Sequence, residues 1–217
     1  MPATFMYEFS PNAPPALNVE ISNFYDNRTV RVETESFKMI DPNTPQEQQN
    51  KEQALLVSPK SFSLAPSEKR VVRLLLKNRP TDQEDVYRVN FLPKSFSEEK
   101  KEGETEKKGI NISVLMGSGI LIFAPPANAN SQISWRKEKG AYVFKNTGIK
   151  NLSIGIESVC SKDVGNCKEA KVGKRLYKGQ ELKVVEGPVL KLSRELVTGT
   201  PQKLTIDKDE GTYTFPQ

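Results

Sequence analysis

Apolar residues fall in short runs of period two, closed by proline, glycine, asparagine or serine, and a helical period is scarce. The pattern predicts strands over Thr4–Phe9, Ala16–Asn23, Val30–Met39, Gln53–Ser58, Ser61–Leu64, Lys69–Leu76, Val86–Leu92 and Ile110–Phe123, about one sandwich. After Pro125–Pro126 the pattern restarts. Shorter runs over Ser134–Trp135, Ala141–Lys145, Leu152–Val159, Lys174–Tyr177, Gln180–Val185, Val189–Leu192, Leu204–Asp207 and Thr212–Phe215 predict a second, smaller sandwich. The expected fold is all-β, with domains over residues 1–125 and 126–217.

Two polar stretches interrupt this alternation. Asp41–Gln53 begins with turn formers and reads as a long loop, and Lys94–Gly109 is rich in Glu and Lys and reads as a mobile loop. Directly after the second comes a row of alternate apolar residues, Ile110, Ile112 and Val114, continued by Met116. An apolar strand beside a charged loop is a sheet edge that another chain can use. The same row would also suit the core of its own domain. If a partner buries it, each side chain contributes about 1.5–3 kcal/mol from area alone.

Composition narrows the chemistry. The 217 residues include no histidine, which excludes hydrolase arrangements built on an imidazole base, and no phosphate loop, dinucleotide fingerprint or calcium loop is present. A non-enzyme without a cofactor is expected. The net charge of +5 arises from Lys and Arg interspersed with Glu and Asp, so it reads as solvated surface and not as a nucleic-acid face. No apolar run reaches the ~20 residues needed to cross a bilayer, since Gly117, Ser118 and Gly119 break the longest candidate, so no membrane insertion is expected. The opening MPATFMYEFSPNAPP lacks the basic and apolar regions of a signal peptide, so the chain reads either as cytosolic or as a mature exported form.

Cys160 and Cys167 are the only cysteines, with Gly165 and Asn166 between them as turn formers. They suit a short disulfide loop worth about 2–3 kcal/mol, or two separate buried thiols, and a metal site lacks further ligands. The lone Trp135 reads as packing in a core or a domain interface.

Four segments together resemble a known family. VEISNFYDNRTVRVETE at Val19–Glu35, VSPKSFSLAPSEKRVVRLLLKN at Val57–Asn78, YRVNFLPKS at Tyr87–Ser95 and ILIFAPP at Ile120–Pro126 stand in the order found in the periplasmic pilus chaperones of the PapD-like superfamily. Asp85–Val89 and VCSKDVGNCKE are more similar to the alternative branch, which serves colonisation-factor and common-pilus fimbriae. The resemblance implies two immunoglobulin-like sandwiches in a boomerang, with an interdomain cleft that receives an unfinished pilin. It implies a periplasmic location, and donor-strand complementation in which Ile110, Ile112, Val114 and Met116 fill the open core of a pilin or adhesin. It also implies delivery to an outer-membrane usher, with self-association as a way for the free form to hide its strand.

The chain departs from the family where better-known members hold the pilin's C-terminal carboxylate. Their Arg on the first strand and Lys near the end of the donor strand are absent here, replaced by Tyr7 and Glu8, and by Ile120, Leu121 and Ile122. If Val86–Leu92 and Ile110–Phe123 are antiparallel neighbours, Arg88 lies next to the cleft, and its guanidinium can take a carboxylate bidentately. Arg88 is therefore the expected anchor, with Tyr7 adding a hydroxyl. Arg73 and Glu84 match family positions of an interdomain network. The alternatives are an adaptor similar to major sperm protein, acting as an interaction scaffold, and a pilus subunit itself. Prolines in the opening segment disfavour the latter as a donor extension.

Overall fold

A computed structural model describes residues 5–10, 14–40, 47–49, 53–98, 117–160, 167–185, 189–195, 202–206 and 208–215. All its regular elements are strands. The first nine are β1 (Phe5–Glu8), β2 (Ala16–Ser22), β3 (Arg28–Met39), β4 (Glu47–Gln49), β5 (Leu55–Ser58), β6 (Ser61–Leu64), β7 (Lys69–Leu76), β8 (Asp85–Glu98) and β9 (Ser118–Ala124). They form one sheet ordered β1-β9-β8-β3-β4, with β6 also on β3, and a second ordered β2-β7-β5. Alternation drives their packing. Val72, Leu74 and Leu76 from β7 meet Tyr87, Val89 and Phe91 from β8 and Ile120 and Ile122 from β9 in one buried core.

The remaining strands are β10 (Ser131–Glu138), β11 (Ala141–Asn146), β12 (Leu152–Cys160), β13 (Cys167–Leu176), β14 (Glu181–Val185), β15 (Val189–Glu195), β16 (Gln202–Ile206) and β17 (Glu210–Phe215). Their sheets are ordered β14-β11-β10-β17 and β13-β12-β15-β16. Ile133, Phe144, Leu152, Leu176, Ile206 and Phe215 are central to a separate core. Trp135 packs against this core and donates its indole N–H to the Lys208 carbonyl at 3.2 Å. It belongs to its own domain, not to the interface, and its ring lies so close to Gly211 that a Cβ there would be 2.3 Å from it.

Each sandwich has a buried asparagine that closes a turn. The Asn23 side-chain amide donates to the carbonyls of Arg28 (2.7 Å), Leu64 (3.2 Å) and Ala65 (2.9 Å), while its oxygen accepts from the Tyr25 amide. In the second sandwich Asn146 donates to the Lys150 and Leu176 carbonyls at 2.9 Å each. The Asn of the ISN stretch is thus a structural clamp that ties the start of β3 to the end of β6 and the turn after it.

Two boundaries correct the expectations. Residues 47–49 within the expected loop Asp41–Gln53 form β4, pairing with β3 from Phe37↔Gln49 to Met39↔Glu47. β8 also runs on to Glu98, so residues 94–98 of the expected loop Lys94–Gly109 are strand. A register shift lets it pass Pro93: Val32 pairs with Pro93 but Arg31 with Ser95, leaving Lys94 as the extra residue of a bulge.

Candidate functional site: the face between the two sandwiches

Side chains alternate across a sheet, so the core fixes what the other face of β1, β9, β8 and β3 presents. With Tyr7, Ile122, Tyr87 and Val89 turned to the core, the register puts Met6, Leu121, Arg88 and Phe37 in one row on the outer face. Glu8, Phe123, Val86 and Met39 form the adjoining row. Outer-face residues ordinarily meet water, yet Met39, Val86 and Phe123 are buried. They form a cluster of their own with Leu121 and with Tyr177 of the second sandwich. The Arg175 guanidinium lies over Phe123, 4.7 Å from the ring centroid.

Polar contacts surround this apolar patch. Glu84, in the turn before β8, accepts with Oε2 from the Asn151 backbone amide at 3.0 Å and from its side-chain amide at 2.6 Å. Asn151 in turn accepts, through Oδ1, a bond from Nη1 of Arg175. Nη2 of Arg175 donates to Sδ of Met6 at 3.2 Å, and Lys178 donates to the Asp82 carbonyl at 3.3 Å. Lys150 forms an ion pair with Glu8, their side chains only 13% and 9% exposed.

The burial has an electrostatic consequence. The Glu84 carboxyl is pushed up to about 7, chiefly by desolvation and secondarily by the charge of Glu8, against the two Asn151 bonds and Lys150. Its Oε1 is buried without a hydrogen-bond partner. Burial also raises the Tyr177 phenol, with Arg175 opposing and Glu84 adding.

The structure separates several residues that the sequence suggested together. Arg88 pairs in register with Leu121 and Phe37 on the outer face. Tyr7 packs against the first core, on the opposite face of the same sheet, so the two side chains do not converge on one carboxylate. Arg73 is exposed on β7, between Asn18 and Ser58 in the other sheet, and does not join Glu84. Ile110, Ile112, Val114 and Met116 lie outside the described residues. Cys160 and Cys167 are directly opposite in the β12–β13 register. Glu8, Lys150, Asn151 and Arg175 were not singled out by sequence, because each acquires its role only through a partner distant in the chain.

A second concavity, about 670 Å³, opens into the first core where β9 begins, lined by Phe5, Tyr7, Ile21, Phe24, Phe91 and Ser118 among others. Among the described residues no cluster of His, Cys, Asp or Glu could hold a metal, and no helix is long and apolar enough to cross a membrane.

Residues 11–130 match the family of pili and flagellar-assembly chaperones, through the PapD N-terminal domain. The chain belongs to this family of PapD-like chaperones, which is not an enzyme family. Its fold of two immunoglobulin-like β domains is shared with solved fimbrial chaperones. The class 5 fimbriae chaperone CfaA is 17% identical with a TM-score of 0.68, the alignment covering 100% of this chain and 99% of that one. A chain from a chaperone–tip adhesin complex of CFA/I fimbriae is 16% identical, TM-score 0.65, with 99% and 97% covered. The E. coli chaperone DraB is 13% identical, TM-score 0.61, with 94% and 93% covered. No curated protein matches by sequence.

Proposed function

We propose that this protein is a periplasmic chaperone of the chaperone-usher pathway, from the branch that serves colonisation-factor-like fimbriae. It binds pilin and adhesin subunits by donor-strand complementation and delivers them to an outer-membrane usher. Family membership supports the class, and the sequence beside β9 supports the mechanism. β8 and β9 pair as an antiparallel hairpin from Asp85↔Ala124 to Phe91↔Ser118. The alternating apolar row Ile110, Ile112, Val114 and Met116 precedes β9 directly in sequence and is the segment this chain would lend to a subunit. Arg88, on the outer face two residues along from Val86, is the carboxylate contact contributed by the first domain.

Co-expression with candidate pilins in an oxidising compartment, followed by mass spectrometry of what co-purifies, tests the reading. An equimolar pilin complex that forms with wild type and is lost with Ile112→Asp is expected. Equal recovery with both proteins places the contact elsewhere, and no pilin with either refutes the chaperone reading. In the same proposal Cys160 and Cys167 form a disulfide. Directly opposed antiparallel residues have Cα atoms about 4.5–5.5 Å apart, within the range a disulfide spans. Intact mass before and after reduction should differ by two hydrogens.

A further inference from the structure

The two described methionines are opposites. Met39 is buried in the cluster under Tyr177. Met6 is 41% exposed on β1, the edge strand of its sheet, and its thioether Sδ accepts a bond from Nη2 of Arg175 at 3.2 Å. The donor comes from the other sandwich and is held in place there. Nη1 of Arg175 donates to Oδ1 of Asn151, its guanidinium lies over the Phe123 ring, and the neighbouring Leu176 is in the second core. Met6 therefore supplies the first-domain end of a bond between the domains. That end is the weak one, because a thioether is a poor acceptor, whereas a guanidinium keeps its charge throughout the pH range of proteins.

A thioether is also an acceptor that an oxidant can rebuild. A sulfur lone pair attacks one oxygen of hydrogen peroxide, and the S–O bond forms as the O–O bond breaks. The sulfur loses two electrons and the peroxide gains them, and the proton on the attacked oxygen passes to the departing hydroxide, which leaves as water. The product oxygen is a strong, dipolar acceptor on a side chain with three rotatable bonds, so it can swing to Arg175. Sulfoxide formation ordinarily loosens a protein by placing a dipole in a core. At an exposed edge with a cation from the second domain already in contact, the opposite sign is expected, since a bond from a charged donor to a good acceptor replaces one to a poor acceptor.

Arg175 also shapes the reaction. Its N–H takes one of the two lone-pair directions on sulfur, and solvent reaches the other, so oxygen arrives from one side. The oxidised sulfur is a stereocentre, and attack from one side yields one epimer.

We propose that Met6 is a reversible oxidation site at which peroxide strengthens the bond between the two sandwiches, with Arg175 selecting the epimer that forms and then holding its oxygen. The redox state of one exposed thioether thereby sets how firmly the domains are joined, whatever the protein binds.

The test uses the full-length protein treated with hydrogen peroxide. The site of the added oxygen is read by peptide mass spectrometry, and the melting temperature is measured before and after. Wild type should gain one oxygen at residue 6 and melt about 2–4 °C higher, the shift that one added hydrogen bond gives a chain of this size. Methionine sulfoxide reductases are each specific for one epimer, so one class should remove most of the oxygen and the shift with it, and the other class little of either. Met6→Leu under the same treatment reports on the remaining methionines and should show no rise. Arg175→Ala should still take up oxygen at residue 6, as both epimers, again with no rise. Should Arg175→Ala fail to fold, Met6→Gln decides without oxidant: its amide oxygen stands in for that of the sulfoxide, so it should melt above Met6→Leu by a similar amount. A wild type that resists oxidation at residue 6, or that gains the oxygen and melts no higher, overturns the proposal. Equal yields of the two epimers in wild type overturn it as well.

Discussion

Replacing Glu84 by Gln should remove a pH dependence of stability that the domain contact builds in. Gln keeps the shape and an oxygen to accept the two Asn151 bonds, but it cannot be buried as an anion. In the native protein desolvation raises Glu84 from 4.5 to about 7. In that window the docked state holds a proton that the undocked chain has already released, so wild-type stability is full below 4.5, falls as pH rises, and levels off above about 7. The span of about 2.5 units at ~1.4 kcal/mol per unit amounts to on the order of 3 kcal/mol. Glu68 and Glu181 act with the opposite sign: the Ala65 amide and Arg136, respectively, hold them below the ordinary value, and their contribution is lost as pH falls. They are the same in both proteins and cancel in the comparison. Urea unfolding at intervals from pH 4.5 to 8 should show Glu84→Gln gaining on wild type by that amount towards the alkaline end. A difference that stays constant across the series would mean that Glu84 titrates as an exposed carboxylate, and the argument from its buried, half-satisfied carboxyl would fail.

Other consequences follow from contacts within and between the sandwiches. Asn23→Ala removes three bonds to the carbonyls of Arg28, Leu64 and Ala65, of which Ala65 keeps the Glu68 amide, and should cost about 2–3 kcal/mol in chemical denaturation. Lys150→Met leaves the Glu8 carboxylate buried without its counter-charge and should cost about 3–5 kcal/mol, most of which the double variant with Glu8→Gln should recover. Gly211→Ala puts a methyl group against the Trp135 ring and should shift the emission of the chain's single tryptophan to the red, with a lower melting temperature.

Period-two alternation was enough to bound β6 and β7, where each buried residue is apolar and the turn between them is marked by proline and serine. It stopped early on β8, because Pro93 ordinarily ends a ladder and the bulge that admits it leaves no signal in composition. It passed over β4, a three-residue edge of Glu and Gln whose pairing is carried by backbone. The cleft was legible only in part. Glu84 could be nominated by motif order, but its partner Asn151 lies 67 positions away, and amide and guanidinium groups have no local pattern that announces such a meeting. Arg88 follows from the hairpin of two neighbouring strands, and Tyr7 from its place on the first strand, where better-known family members have an Arg. The alternation that predicted those strands also puts the two on opposite faces, which becomes visible only once the parallel register of β1 on β9 is known.

The apolar cluster of Met39, Val86 and Phe123 under Tyr177 bears on how such a chain can be inherited. Phe123 is wholly covered although it faces away from its own core, so either half alone would display a sticky surface. A recombination event that swapped one half for that of a relative would have to match this hidden seam as well as each sandwich. The two halves are therefore expected to descend together, and chimaeras joined at Pro125–Pro126 should aggregate unless residues on both sides of the seam are exchanged as a set.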